Sequence, residues 1–78
     1  MPSPSPRSDS LAMLGSALAR LRSARGVTQE GLALASGVQR SYIADLERGR
    51  RNPSVETLLR VAASLEIGLA EWMREAGI

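Results

Sequence analysis

Apolar residues recur along this chain at helical spacing, and the pattern predicts helices rather than strands. The first helix is predicted over residues 10–25, and Gly26 follows it as a stop. Its apolar face carries Leu11, Leu14, Leu18 and Leu21. Two shorter helices are predicted over residues 28–36 and 39–48. No segment alternates apolar and polar residues as a half-buried strand does, so the predicted fold class is all-α.

A loop and a capping serine separate the third predicted helix from two more. The residue before Pro53 disfavours helical backbone, so the string GRRNP is predicted to be a loop. Ser54 caps a fourth helix, whose predicted buried stripe is Val55, Leu58, Val61, Ala62 and Leu65. A short fifth helix after Ile67 contains Leu69, Trp72 and Met73. We therefore expect one five-helix domain over residues 10–78.

Residues 1–9 alternate proline and serine and are predicted to be a disordered tail. One interpretation is an arm that places Arg7 in a DNA minor groove. The other, which is favoured, is a tail without a role of its own.

Residues 28–48 carry two short helical patterns hinged on Gly37. Thr28 is the predicted N-cap of the first. Gly37 permits the left-handed backbone that ends one helix and redirects the chain within a few residues. Ala33 is small enough for two helices to cross closely. A helix-turn-helix requires the spacings found for Leu32, Ala33, Gly37, Val38, Ile43 and Leu46.

The stretch from about Leu14 to Met73 resembles the lambda-repressor/Cro type of helix-turn-helix domain, also called the XRE family. The strings that carry the resemblance are LRSARGVTQEGLALASGV, RSYIADLERGRRNPS and ETLLRVAASLEIGLAEW. The second of these also resembles the controller proteins of restriction–modification systems. The resemblance implies a five-helix lambda-repressor-like domain that binds DNA.

Charge is distributed as DNA binding requires. The formal net charge is only +2, but residues 1–51 contain eight arginines against four acids, whereas residues 52–78 contain two arginines against four acids. The basic part of the chain is the part with the helix-turn-helix, as a phosphate-facing surface needs.

The composition excludes several classes of function. The chain has no cysteine and no histidine, so we expect no disulfide, no metal site, no cofactor and no enzymatic activity. No run of 18 apolar residues predicts a membrane span, and the first residues lack the apolar stretch of a signal peptide. We expect a cytoplasmic protein that takes no small-molecule ligand.

On a helical wheel, the third predicted helix has an apolar arc and an opposite arc that the resemblance directs into the major groove. The residues expected to read bases there are Arg40, Ser41, Ala44 and Asp45. The guanidinium fork of Arg40 matches O6 and N7 of guanine. Asp45 can accept from a cytosine amine or can orient Arg40 or Arg48, and the orienting role is favoured.

Contacts to the DNA backbone are expected around this helix. The resemblance implies that the second helix points its N-terminus at a phosphate. Tyr42 can reach a phosphate with its hydroxyl or can pack as a rim residue on the second helix, and both interpretations stay open. The expected phosphate contacts are Thr28, Gln29, Tyr42, Arg48, Arg50, Arg51 and Asn52.

The resemblance also implies a structural ion pair between Arg22 of the first helix and Glu47 of the third. Such a pair fixes the register of two helices more than it adds net stability.

One recognition helix reads only about 3–4 base pairs, so we expect a homodimer on a pseudo-palindromic operator. The expected dimer contact is the fifth helix with Ile67, Leu69, Trp72 and Met73. The alternative for Trp72 is a residue that covers the monomer core against the first helix.

The sequence therefore predicts a sequence-specific transcriptional regulator, and the controller resemblance implies autoregulation as repressor and activator. The alternative is an antitoxin-type module that binds a toxin and also represses its own operon, for which the N-terminal tail is the candidate toxin-binding segment.

Overall fold

The structure is a computed structural model that describes residues 6–78. Within that range it contains no strand, and its five helices are α1 (Pro6–Ala24), α2 (Gln29–Ser36), α3 (Arg40–Glu47), α4 (Val55–Ser64) and α5 (Leu69–Ala76). The predicted five-helix, all-α architecture is confirmed.

The N-terminal boundary of α1 differs from the prediction. The helix begins at Pro6 rather than at Ser10, so the last four residues of the predicted tail, with Arg7 among them, have helical backbone. Residues 1–5 of that predicted tail lie outside the described residues. Among residues 6–78, no helix is both long enough and apolar enough to cross a membrane.

The turn between α2 and α3 forms as its sequence dictates. The hydroxyl of Thr28 accepts a hydrogen bond from the backbone N–H of Gly31 at 2.9 Å, which satisfies one of the free amides at the start of α2. Gly37 ends α2 with a φ of 73°, and its N–H donates to the carbonyl of Ala33. Gln39 precedes α3 without a capping hydrogen bond from its side chain. A single glycine thus sets the angle at which α3 leaves α2.

A close approach of α1 to the C-terminal end of α3 fixes the position of α3. A Cβ atom at Gly15 would lie 2.2 Å from the carbonyl oxygen of Leu46, and one at Gly49 would lie 2.9 Å from Cα of Ala12. Gly15 therefore leaves the space into which the last turn of α3 packs, since any side chain there would push the two helices apart.

All five helices contribute to the core, and Trp72 is its largest fully buried side chain. The indole N–H of Trp72 donates to the carbonyl oxygen of Leu14 at 3.0 Å. The buried apolar residues are Leu14, Ala17, Leu18, Leu21, Leu32, Ile43, Leu46, Val61, Ala62, Leu65, Ile67, Trp72 and Ala76.

Two sequence predictions about burial are wrong. Trp72 and Ile67, expected in a dimer contact, are 0% and 7% exposed within a single chain, because α5 folds back onto α1 and encloses them. The interpretation of Trp72 as a core residue is the correct one. Val55, expected in the buried stripe of α4, is 64% exposed, because it lies at the start of that helix beyond the edge of the core.

Candidate nucleic-acid interface

The apolar side of α3 packs on the core, and this packing leaves the opposite side, the outer arc, exposed. Ile43 and Leu46 are fully buried against the core, so the opposite side of this two-turn helix faces away from the protein. Arg40 and Ser41, at the N-terminal end, are exposed, and Ala44 and Asp45 are half-buried one turn later. The structure thus places the four expected base-reading residues on one side of α3.

The turn that follows α3 folds back on Asp45. Its carboxylate lies 3.6 Å from Nη1 of Arg48 and 3.5 Å from Nη2 of Arg51. Its backbone carbonyl accepts from the N–H of Arg50 at 2.9 Å. Among residues 6–78, the ion pairs of Asp45 are with Arg48 and Arg51 rather than with Arg40, so the orienting role expected for Asp45 applies to the turn and not to the start of the helix.

Tyr42 packs as a rim residue, one of the two interpretations that the sequence left open, and its contact to a phosphate stays a prediction. It is half-buried and packs against the edge of the core. The guanidinium carbon of Arg51 lies 5.1 Å from the centroid of its ring, within the range of a cation–π contact. The ring therefore positions Arg51, a role that the sequence did not suggest, because it depends on the path of the turn rather than on helical spacing.

At the start of α2, the two polar side chains expected at a phosphate already have partners within the chain. Thr28 accepts the capping bond from Gly31, and Nε2 of Gln29 donates to Oε1 of Glu47 at 2.9 Å. Each keeps one donor, the hydroxyl hydrogen of Thr28 and the second amide hydrogen of Gln29. Gln29 therefore links the N-terminus of α2 to the C-terminus of α3.

Arg22 and Glu47 form a two-pronged ion pair beneath this surface. Nε of Arg22 lies 2.6 Å from Oε2 of Glu47, and Nη2 lies 3.1 Å from Oε1. Nη1 of Arg22 also donates to the carbonyl of Val27 at 2.8 Å. Their side chains are only 16% and 8% exposed, and the hydrogen bond to Glu47 raises the pKa of the Arg22 guanidinium above its ordinary value. The pair ties α1 to α3 and to the residues that lead into α2, so it positions the helix-turn-helix.

The remaining residues expected to contact phosphates, Arg50 and Asn52, are exposed in the loop between α3 and α4. Arg48, Arg50, Arg51 and Asn52 together form the surface that we call the basic turn. It adjoins the outer arc of α3, because the turn begins where that helix ends. Arginines beside an exposed helix form the kind of surface that can contact phosphates while the helix contacts bases.

Comparison with known proteins gives consistent matches across the chain. The helix-turn-helix family profile matches residues 18–72. The uncharacterised HTH-type transcriptional regulator y4dJ of Sinorhizobium fredii is 46% identical over 59 residues, which cover 76% of this chain and 77% of that protein. Three further curated relatives are longer, and this chain spans 38–40% of their length.

Two solved structures resemble the fold closely. The restriction–modification controller protein C.AhdI of Aeromonas hydrophila superposes with a TM-score of 0.78 at 44% identity, over 80% of this chain and 94% of that chain. The clp gene regulator ClgR of Corynebacterium glutamicum superposes with a TM-score of 0.84 at 39% identity, over 97% of this chain and 77% of that chain.

Proposed function

The chain belongs to the helix-turn-helix family of the lambda-repressor/Cro (XRE) type, a family of DNA-binding transcriptional regulators, and we propose that it binds a pseudo-palindromic operator as a homodimer. The observation that carries the proposal is the outer arc of α3, where Arg40 and Ser41 are exposed on the side opposite the fully buried Ile43 and Leu46. A helix held in this way can enter the major groove without moving relative to the domain.

In this proposal, Arg40 is the principal base reader. It stands at the N-terminal end of α3, and its fork can donate two hydrogen bonds to one guanine. Ser41 donates to a base or a phosphate, and Ala44 leaves room for a thymine methyl group. Thr28 and Gln29 contact the backbone at the start of α2, and Tyr42 and the basic turn contact it on the other side of α3.

Removing two arginines of the basic turn tests the proposed clamp. With about six to ten phosphate contacts per dimer, log affinity should fall with log salt at a slope of roughly −5 to −9. The double variant Arg50→Ala/Arg51→Ala should reduce the magnitude of that slope by about 3–4, since each dimer loses about four contacts. Fluorescence anisotropy titrations between roughly 50 and 200 mM salt would measure the slope, because phosphate contacts lose much of their affinity over that range.

The matched control for the clamp is Arg60→Ala/Arg74→Ala, which removes the same charge from α4 and α5. Arg60 and Arg74 are exposed and lie outside the helix-turn-helix. The control should leave most of the slope in place, and both double variants should keep the preferred sequence. If the Arg50/Arg51 variant prefers a different sequence, the turn reads bases and is not only a clamp.

Because Trp72 and Ile67 are buried within one chain, we propose that the dimer contact is formed mainly by α4. Val55 and Leu59 are 64% and 51% exposed, and their four-residue separation places them on one face of α4. This exposed apolar face, one turn long, is the proposed contact for a second copy, because exposed apolar patches mark association sites. Leu69 and Met73 are half-buried on α5, and we keep them as part of the proposed dimer contact.

Introducing a charge at Leu59 tests this contact. Leu59→Glu should shift sedimentation at micromolar concentration from dimer to monomer and should make operator binding depend more steeply on protein concentration. The fold should persist, because the side chain is half exposed to solvent. The matched control is Leu34→Glu on α2, where the side chain is 81% exposed. Ala63→Glu is unsuitable as a control, since Ala63 lies one turn further along α4. A wild type that is monomeric, or a Leu59→Glu variant that stays dimeric, would contradict this interface.

A narrower proposal is that the protein is an autoregulating, cytoplasmic controller. It is supported by the match to C.AhdI, a restriction–modification controller protein, over 94% of that chain. The relatives and structures named above are regulators and a controller, so they favour a transcriptional regulator over the toxin-binding antitoxin alternative. Binding to the DNA immediately upstream of its own coding sequence, at lower protein concentration than to other fragments of equal length, would test autoregulation.

A further inference from the structure

A negative charge lies within the otherwise basic DNA-facing surface. Asp45 is on the outer arc of α3, one turn after Arg40 and Ser41, and its side chain is 31% exposed. It faces two guanidinium groups, that of Arg48 at 3.6 Å and that of Arg51 at 3.5 Å. The carboxylate thus partly neutralises two of the cations that the proposed function assigns to phosphates.

These contacts are of a kind that can be exchanged. Both distances exceed the roughly 2.7–2.9 Å of a charge-assisted hydrogen bond. The side chains of Arg48 and Arg51 are 60% and 49% exposed, so each can turn toward solvent or a phosphate without leaving a buried site. When Arg51 turns, it also gives up its contact with the ring of Tyr42. The backbone stays in place when they turn, because the carbonyl of Asp45 accepts from the N–H groups of Arg48 and Arg50 independently of its carboxylate.

Binding to DNA changes what Asp45 faces. When Arg48 and Arg51 turn to phosphates, the carboxylate loses its two counterions while the phosphates add negative charge nearby. In the major groove, the base groups that can replace those counterions are amines, N4 of cytosine and N6 of adenine. Where the base that faces Asp45 is guanine or thymine, the carboxylate lacks a donor from that base and opposes binding.

We propose that Asp45 is a specificity-determining residue that acts by exclusion, and this rests on the proposed function of α3 as the recognition helix. On unrelated DNA, Asp45 retains Arg48 and Arg51 and weakens their contact with phosphates. At the operator, the amine of a facing cytosine or adenine donates to the carboxylate, and both arginines are released to the backbone. Asp45 therefore lowers non-specific affinity more than operator affinity.

The substitution Asp45→Asn tests the proposal, because it removes the charge with almost no change in shape. Anisotropy titrations compare a duplex selected by the wild type with an unrelated duplex of equal length. Affinity for unrelated DNA should rise about 3- to 10-fold per bound helix, with a steeper salt dependence, because the released arginines make additional phosphate contacts. Operator affinity should change less, so the ratio of the two affinities should fall.

The matched control is Glu75→Gln, which changes the net charge equally on α5. Glu75 pairs with Arg20 of α1 at 3.0 Å and is not part of the helix-turn-helix. The control should raise both affinities by one small factor and leave their ratio unchanged. Circular dichroism should show the same helix content for both variants, since Asp45 and Glu75 are surface residues.

Two results would overturn the role of Asp45. If Asp45→Asn raises both affinities by the factor seen for Glu75→Gln, its charge acts only through the net charge of the protein. If it lowers affinity for unrelated DNA, its carboxylate holds the arginines in position for phosphates instead of away from them. A wild type that selects no sequence from random DNA would contradict the proposed function itself, which is a different outcome from an unchanged ratio in the variant.

Discussion

Replacing Trp72 by alanine should strongly destabilise the chain at 25 °C. The indole is fully buried between α1 and α5, and removing a buried aromatic side chain of this kind costs about 3–5 kcal/mol. The variant also loses the hydrogen bond to the carbonyl of Leu14. A domain of 78 residues has a free energy of unfolding of about 4–12 kcal/mol, so the loss is a large part of the total.

Urea denaturation followed by circular dichroism would measure this effect, since the variant has lost the only tryptophan. Trp72→Phe is the matched control, because it keeps most of the apolar volume and loses only the indole hydrogen bond and part of the contact area. It should unfold at a urea concentration between those of the wild type and of Trp72→Ala. A Trp72→Ala variant that stays folded but becomes monomeric would contradict the core position and would restore the dimer contact expected from the sequence.

The second large effect is expected for Arg40→Ala on operator DNA. Loss of a two-pronged contact to guanine should cost about 1–3 kcal/mol per half-site, or about 2–6 kcal/mol for a dimer that fills both. Arg40 is exposed at the first position of α3, so the fold should be unaffected. Affinity for unrelated DNA should change little by comparison, because the contacts of the basic turn remain.

Titrations of Arg40→Ala on the selected duplex and on an unrelated one would separate the two classes of contact. Arg74→Ala is the control, since it removes one exposed arginine from α5. Equal losses for Arg40→Ala on both duplexes would make Arg40 a phosphate contact. Ser41 and Asp45 would then be the leading base readers.

The local signals in the sequence were sufficient to predict the helices. Thr28 and Ser54 cap α2 and α4 through their hydroxyl groups, and Gly37 has the left-handed backbone expected of it. Each of these features depends on residues within one turn of each other. The boundary at Pro6 was missed because a Pro/Ser-rich composition indicates disorder but does not prevent a proline from occupying the first turn of a helix.

Burial depended on contacts that local pattern does not contain. Trp72 is enclosed because α5 returns to α1, and its hydrogen-bond partner Leu14 is 58 residues away in sequence. Gly15 had one available signal, since a glycine inside a helical pattern often marks a close approach of backbone. The sequence did not identify the partner helix.

At the candidate interface too, exposure could be predicted from the local pattern, whereas contacts between elements could not. The exposure of Arg40 and Ser41 follows from the helical period of α3 alone, so a helical wheel was enough to predict it. The contacts of Arg51 with Tyr42 and Asp45, and that of Gln29 with Glu47, were not predicted, because each joins α3 to a turn or to another helix. These unpredicted contacts position the residues that surround the outer arc of α3.

Selection of bound fragments from a pool of random duplexes tests most directly whether this protein reads DNA sequence through α3. The wild type should enrich a site with two-fold symmetry, whose half-sites lie about 10–10.5 base pairs apart or a multiple of that spacing. Each half-site should contain a G·C pair whose preference disappears when the selection is repeated with Arg40→Ala. A wild type that enriches no sequence, or an Arg40→Ala variant that enriches the same sequence with the same preference at every position, would contradict this function of α3.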